Sequence, residues 1–520
     1  MSEPSTVELQ TPLGRLLGLR ARPEGDGPEV WRFAGVPYAV APVGEHRFRP
    51  PVPAGGWTGV RLAVDDAAAQ PQPTNGPELV PGMCPARVDD DSLTLTVWSP
   101  QRAGPHPVMV WIHGGSFTVG ASSLRSYDAA RLASEGEVVV VAINYRLGAL
   151  GWMDLDATGG REWGSVANCG LLDQALALQW VRDHIAAYGG DPANVTVFGE
   201  SAGGGSILHL LASPVGRGLF DRAIVQSGST GRTLTADQAA AVSQAVLEEL
   251  GFERATPEIQ KVSSDDIVAA QLRATGRLFA VAGMLPFHPA LDAESLPTTP
   301  LDALRAGANR AVDLVLGVTT DEMRLFLEGP ALEPDRLHAR ARRYFALDDT
   351  ATVALIDAYR SLLTDEGTST QPIDVWAALL TDREMLVPAV AALDAHAAAG
   401  GRTFGYRFDW PAMPRADGLE LRSCHGVDIP FTFATFAVDG WDAFTGADTD
   451  SHGAHALSAA LRASWCAFAR SGDPAHEDVG PWPRHAAADR ATMRLGRRRG
   501  VEPDPVATRL AALAAAGVTL

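Results

Sequence analysis

Short apolar runs recur along the chain, separated by longer amphipathic or alanine-rich stretches. "PVMVWI" (107–112), "VVVVAIN" (138–144), "NVTVF" (194–198), "RAIVQ" (222–226), "DLVLGV" (313–318) and "TFGYRFDW" (403–410) hold few polar residues. That is the pattern of sheet strands covered on both faces. "SLTLTVW" (92–98) alternates instead and predicts a half-buried strand. Between the runs, "CGLLDQALALQWVRDHIAAYGG" (169–190) predicts a long helix stopped at Gly189. Strands alternating with helices predict an α/β fold around a large, mostly parallel sheet.

Residues 232–310 and 329–400 break the alternation, being helix-prone and rich in alanine. They are expected to be helical insertions roofing the sheet. Residues 1–90, rich in proline and glycine, predict a short meander and loops. In the tail, 504–517, Val506, Leu510 and Leu513 share one face of a short amphipathic helix. With no repeat and no low-complexity linker, residues 1–520 are expected to form one elaborated domain.

Composition narrows the function. The net charge of −19 disfavours a nucleic-acid partner, whose phosphates need a basic face. No apolar run is long enough to span a bilayer, and "MSEPSTVELQ" lacks the features of a secretory signal. Cys84, Cys169, Cys424 and Cys466 are widely spaced, which predicts free thiols and a cytoplasmic setting. Lys261 is the only lysine among 43 basic residues, which excludes a GxxxxGK phosphate loop and an SxxK pair.

The candidate chemistry centres on "FGESAGGGS" (198–206). GESAG fits GxSxG, which is weak alone, but here a strand precedes it and a small-residue helix start follows. This makes Ser201 a candidate nucleophile at a strained strand–turn–helix. "WIHGGSF" (111–117) follows another strand, and its small residues let backbone amides approach a substrate. The amides of Gly115, Ser116 and Ala202 are candidate donors to an oxyanion. His113 reads as a structural loop histidine.

These motifs, with "FAGVPYA" (33–39), "RFRPP" (47–51), "INYRLGALG" (143–151), "YGGDP" (188–192), "AIVQSGS" (223–229) and "WCAFARSGDP" (465–474), cover most of the chain. Together they resemble the type-B carboxylesterase family, which includes nitrobenzyl-type esterases and cholinesterases. The resemblance implies the α/β-hydrolase fold and a Ser–His–Glu triad. It places the acid on Glu322 in "GVTTDEMRLFL" (317–327), where Met323 stands in place of the usual glycine. The adjacent Asp321 is also able to orient an imidazole. Seven histidines follow: His338, His396, His425, His452, His455, His476 and His485. The family's motif matches "CHGVDIPFTF" (424–433), which makes His425 the base. Carried over residue by residue, Glu200 and Ser227 are supporting residues behind the serine and the acid.

The resemblance also implies ion pairs Arg47–Asp90 and Arg146–Asp173, while Ser92 stands where a family disulfide cysteine is usual. No aromatic residue lies between Thr58 and Val97, so a cholinesterase-type platform for a quaternary ammonium is missing. His452 and His455 lack a convincing acidic third ligand, so neither a metal nor another cofactor is expected. The expectation is a serine carboxylesterase acting on small to medium uncharged esters. It would work as a monomer or small homo-oligomer, with no nucleic-acid or membrane partner. The alternatives are a same-fold hydrolase of carbamates, amides or lactones and a non-enzymatic binding protein. Retention of Ser201, Glu322, His425 and the glycine loop together argues against the last.

Overall fold

A computed structural model describes residues 5–518 apart from 24–26, 75–77, 102–103, 160–162, 164–166 and 284. Residues 1–4 of the N-terminal stretch read above lie outside the described residues. Among the described residues, thirteen strands form one sheet. In chain order they are β1 (Thr6–Thr11), β2 (Gly14–Ala21), β3 (Val30–Pro37), β4 (Val60–Leu62), β5 (Thr94–Pro100), β6 (His106–Ile112) and β7 (Val139–Ile143). Then come β8 (Gly190–Glu200), β9 (Arg222–Gln226), β10 (Asp313–Thr319), β11 (Thr403–Asp409), β12 (Thr492–Gly496) and β13 (Gly500–Glu502). Their spatial order is β1-β2-β3-β5-β7-β6-β8-β9-β10-β11-β12-β13, with β4 beside β2.

The stretch from β7 through β6, β8, β9, β10 and β11 to β12 is parallel throughout. These strands are apolar on both faces because both faces carry a core. On one side Val110, Val141 and Val197 pack with Trp152, Leu178 and Leu208. On the other, Met109, Trp111 and Phe198 pack with Phe433, Trp465 and Phe468. The predicted N-terminal meander is present as antiparallel β1, β2 and β3.

Two expectations need correction, and two strands were not foreseen. The 92–98 strand runs from Thr94 to Pro100 and is buried at every position. Its alternation reflects two cores rather than one core and solvent, because Leu95 and Val97 enter one cluster and Trp98 the other. The helix predicted over 169–190 ends at His184, and a 3₁₀ turn, Ile185–Tyr188, completes it before Gly189 takes a left-handed φ of 83°. The sequence also gave no sign of β12 and β13, which extend the sheet beyond β11.

Segment 232–310 carries helices Ala236–Glu249, Ser264–Ala282 and Pro300–Arg305. Segment 329–400 carries Pro334–Phe345, Asp349–Asp365, Pro372–Thr381 and Val387–Ala398. The tail helix is Ala507–Ala515, with Leu513 buried beneath it and Arg509 held by Glu366 and Asp382. Among the described residues no helix is long and apolar enough to cross a membrane.

The topology fixes where a site can form. The chain passes from β6 to β7 on one side and returns to β8 on the other, so the loops leaving β6 and β8 diverge at adjacent strand ends. Such a crevice is the usual ligand position in open parallel sheets. Both implied ion pairs form. Arg146 and Asp173 meet at 2.6 Å fully buried, and Arg47 lies 3.3 Å from Asp90.

Candidate active site

Ser201 stands at the end of β8, one residue before the helix Ala202–Ala212. Its backbone is strained, with φ 56° and ψ −119°, a region that residues bearing a Cβ rarely occupy. The surroundings hold it there. Its amide donates to Gln226 O at 2.9 Å, and its carbonyl accepts from Gly205 N at 2.8 Å. Glycine is required on either side: a Cβ on Gly199 would come within 2.6 Å of Ile112 O, and one on Gly203 would overlap the same oxygen. The turn is thus wedged against the end of β6, and the hydroxyl projects from the sheet.

Two other strand ends deliver its partners. Glu322 follows β10 and is fully buried, and His425 lies on the loop after β11. His425 Nε2 is 2.7 Å from Ser201 Oγ, and its Nδ1 is 2.6 Å from Glu322 Oε2. The other carboxylate oxygen, Oε1, accepts from Ser227 Oγ at 2.6 Å and from Thr319 N at 2.8 Å. These bonds lock the carboxylate, and an acid on Nδ1 selects the tautomer that leaves Nε2 facing the serine. Asp321, which the sequence left as a rival, turns away to Arg324 at 3.2 Å and Arg422 at 3.6 Å.

Glu200 is buried on the opposite side of the imidazole, its Oε1 3.3 Å from Nε2. Burial pushes its pKa up to about 8, His425 pulling it down while Asp428 and Glu322 add to the rise. Burial disfavours the charged imidazole, but Glu200 and Glu322 outweigh it and push His425 up to about 9. Asp428 is a further buried acid, raised to about 6 by desolvation and held by Gln226 Nε2 at 2.7 Å. The sequence reading singled out neither Asp428 nor Gln226. Asp428 lies inside the quoted "CHGVDIPFTF", but its contact with Gln226, at the end of β9, joins residues 202 positions apart and leaves no local pattern.

The loop after β6 comes close above the serine. Gly115, Ser116 and Phe117 all have positive φ, at 108°, 56° and 59°, and the turn closes through Gly115 O, which accepts from Thr118 N and Val119 N at 3.0 Å each. A Cβ on Gly114 would stand 2.9 Å from Glu200 Oε2 and 3.1 Å from Ser201 Cβ. The amides of Gly115, Ser116 and Ala202 donate to no acceptor among the described residues. His113 is buried with its ring stacked on Tyr145 at 4.5 Å, and Nδ1 meets Gly114 O at 2.8 Å. Burial lowers its pKa to about 4, so it is a neutral structural residue.

Two compartments open beside Ser201. One, of about 80 Å³, lies over the helix start and is lined by Phe117, Ala202, Gly205, His209 and Met385. The other, of about 190 Å³, is bordered by Val80, Met83, Glu200, Gly426 and Ile429. A bound hydroxyl, a base, a locked acid and free amides around apolar compartments suit attack on an acyl carbonyl.

Comparison with known proteins agrees. A model of the carboxylesterase family matches residues 5–512. The chain is 37% identical over 484 residues to a para-nitrobenzyl esterase of Bacillus subtilis (strain 168), an alignment covering 92% of this chain and 93% of that one. It is 33% identical over 488 residues to a phenmedipham hydrolase of Pseudarthrobacter oxydans, covering 90% and 92%. Among solved structures, a thermophilic PNB esterase superposes with a TM-score of 0.83 at 35% identity, covering 97% of this chain and 99% of that one. A Geobacillus stearothermophilus carboxylesterase gives 0.83 at 32% identity with the same coverage. The chain belongs to the carboxylesterase family.

Proposed function

We propose that the protein hydrolyses small to medium uncharged carboxylic esters through an acyl-enzyme on Ser201. The observation that carries this reading is the unbroken contact from Ser201 Oγ to His425 Nε2 at 2.7 Å and from Nδ1 to Glu322 at 2.6 Å. His425 takes the hydroxyl proton as Oγ bonds to the ester carbonyl carbon. The carbonyl oxygen becomes an oxyanion held by the amides of Gly115, Ser116 and Ala202, each worth about 3 kcal/mol in such sites. Nε2 then returns the proton to the alcohol oxygen as that bond breaks. Water repeats the sequence, releases the acid and restores the serine.

Glu322 steers the imidazole and stabilises its charged form, and Ser227 holds Glu322. The raised pKa values place loss of the first proton from the Glu200–His425 pair at mildly alkaline pH; when Glu200 keeps the remaining one, the imidazole is neutral and able to act as a base. Glu200 borders the larger compartment beside Nε2, so the alcohol oxygen that receives the proton departs toward that side. The acyl chain is left for the 80 Å³ compartment over the helix start.

The test is hydrolysis of nitrophenyl butyrate together with fluorophosphonate labelling and mass spectrometry. The expected adduct sits on Ser201 and abolishes turnover. Turnover that survives complete labelling, or an adduct on another residue, contradicts the reading. Relatives named for a nitrobenzyl ester and for phenmedipham favour a family site tolerant of the leaving group. Hydrolysis of a carbamate, amide or lactone by the same residues is therefore the second reading.

A further inference from the structure

The 80 Å³ compartment is not the end of the space beyond Ser201. A cavity of about 420 Å³ adjoins it, lined by Leu234, Trp376 and Leu380 and open to solvent past the exposed Phe279 and Tyr344. Four residues border both: Arg232, Leu285, Met323 and Phe326. They form the wall between the two spaces.

The four are not equivalent. Arg232 is tied to Glu384 at 2.8 Å. Phe326 rests on the His425 ring at 5.4 Å and is exposed on its outer side. Leu285 is half-buried. Met323 alone is fully buried, with 3% of its surface exposed, and its amide is pinned to Thr381 Oγ1 at 3.1 Å. Its side chain is an unbranched apolar plug with no polar duty, placed one residue after Glu322.

We propose that Met323 sets the acyl-chain length this enzyme accepts. Its side chain closes the compartment over the helix start, so short acyl groups fit and longer ones meet the wall. The 420 Å³ cavity, open to solvent past Phe279 and Tyr344, then receives the end of a longer acyl chain when the wall is thinned. This rests on the reading that places the acyl chain in the 80 Å³ compartment. A pocket wall that excludes single methylenes discriminates by about 10- to 200-fold.

The experiment uses two series on the full chain: nitrophenyl esters from acetate to decanoate, and acetates of increasingly bulky alcohols. Rates are normalised to fluorophosphonate-labelled sites. Wild type is expected to prefer acetate or butyrate over octanoate. Met323→Ala is expected to raise the octanoate-to-acetate ratio of kcat/KM by about 10- to 100-fold and to leave the ranking of alcohols unchanged. Met323→Leu, which keeps the bulk, is expected to retain the wild-type profile. Leu285→Ala thins the same wall from another loop and is expected to lengthen the preference in the same direction, which keeps the test decisive if Met323→Ala fails to fold. An unchanged acyl profile in the folded thinned variants, or a shift in the alcohol series instead, overturns the proposal. A wild type that hydrolyses no ester would sink the functional reading itself, which is a distinct result.

Discussion

Arg146 and Asp173 form one cluster of buried charge; Glu200, Glu322, His425 and Asp428 form another. In the first, Asp173 Oδ2 accepts from Arg146 N and Nε at 2.9 and 2.8 Å, and Oδ1 accepts from Nη2 at 2.6 Å. Arg146 Nη1 donates to Arg49 O at 2.7 Å. Charge and hydrogen-bonding capacity are matched, and the pair joins the loop after β7 to the helix Cys169–His184. In the second, three carboxyl groups face one imidazole. Glu200 Oε1 and Asp428 Oδ1 make no hydrogen bond among the described residues. The surplus of acid favours the charged imidazole. When the imidazole starts neutral, with Glu200 protonated, that is the charge created as the proposed nucleophile gives up its proton, so the surplus then stabilises the transition state. A matched pair holds chain segments together; a mismatched cluster is poised to take up charge.

The contrast can be broken in four ways. Ser201→Ala removes the group the second cluster serves, and kcat is expected to fall by about 10⁶-fold with the melting temperature unchanged. Burst-free nitrophenyl acetate kinetics and calorimetry check both halves. Glu322→Gln keeps the shape but loses the tautomer control, and a drop in kcat of about 10⁴-fold is expected. Asp173→Asn unbalances the first cluster instead. There the expected loss is about 3–5 kcal/mol of stability by denaturant titration, with the rate per labelled active site close to wild type. A large rate loss in the folded Asp173→Asn protein would show that the two clusters are not separable.

The smallest effect is the sharpest. Glu200→Gln removes a carboxylate that raises the His425 pKa, so neutral imidazole appears at lower pH. Activity requires the neutral base, so the acid limb of the kcat/KM profile is expected to move to lower pH, with kcat at its plateau changed by about tenfold or less. An acid limb that stays in place would remove Glu200 from the proton balance.

Much of this arrangement was legible because its determinants are local. GESAG and HGGSF announce a serine turn and a free-amide loop within a few residues, and both occur where expected. The choice between Asp321 and Glu322 was not local: it depends on Arg324 and Arg422 drawing Asp321 away. β12 stayed hidden because "TMRLG" places Arg494 mid-strand, and the charge makes sense only beside Asp409 and Glu502. The alternation in β5 marked two cores rather than a solvent face. The wall at Met323 was noticed only as a departure from a motif, since a cavity is made by segments distant in the chain.

The elbow beneath Ser201 has an implication for anyone altering this protein. Gly203 has no room for one more carbon and Gly199 has almost none. Randomising that turn would therefore cull variants through misplacement of the hydroxyl, whatever ester is offered. Diversity is better directed at the side chains that face the compartments, which can change size while the attacking oxygen keeps its position.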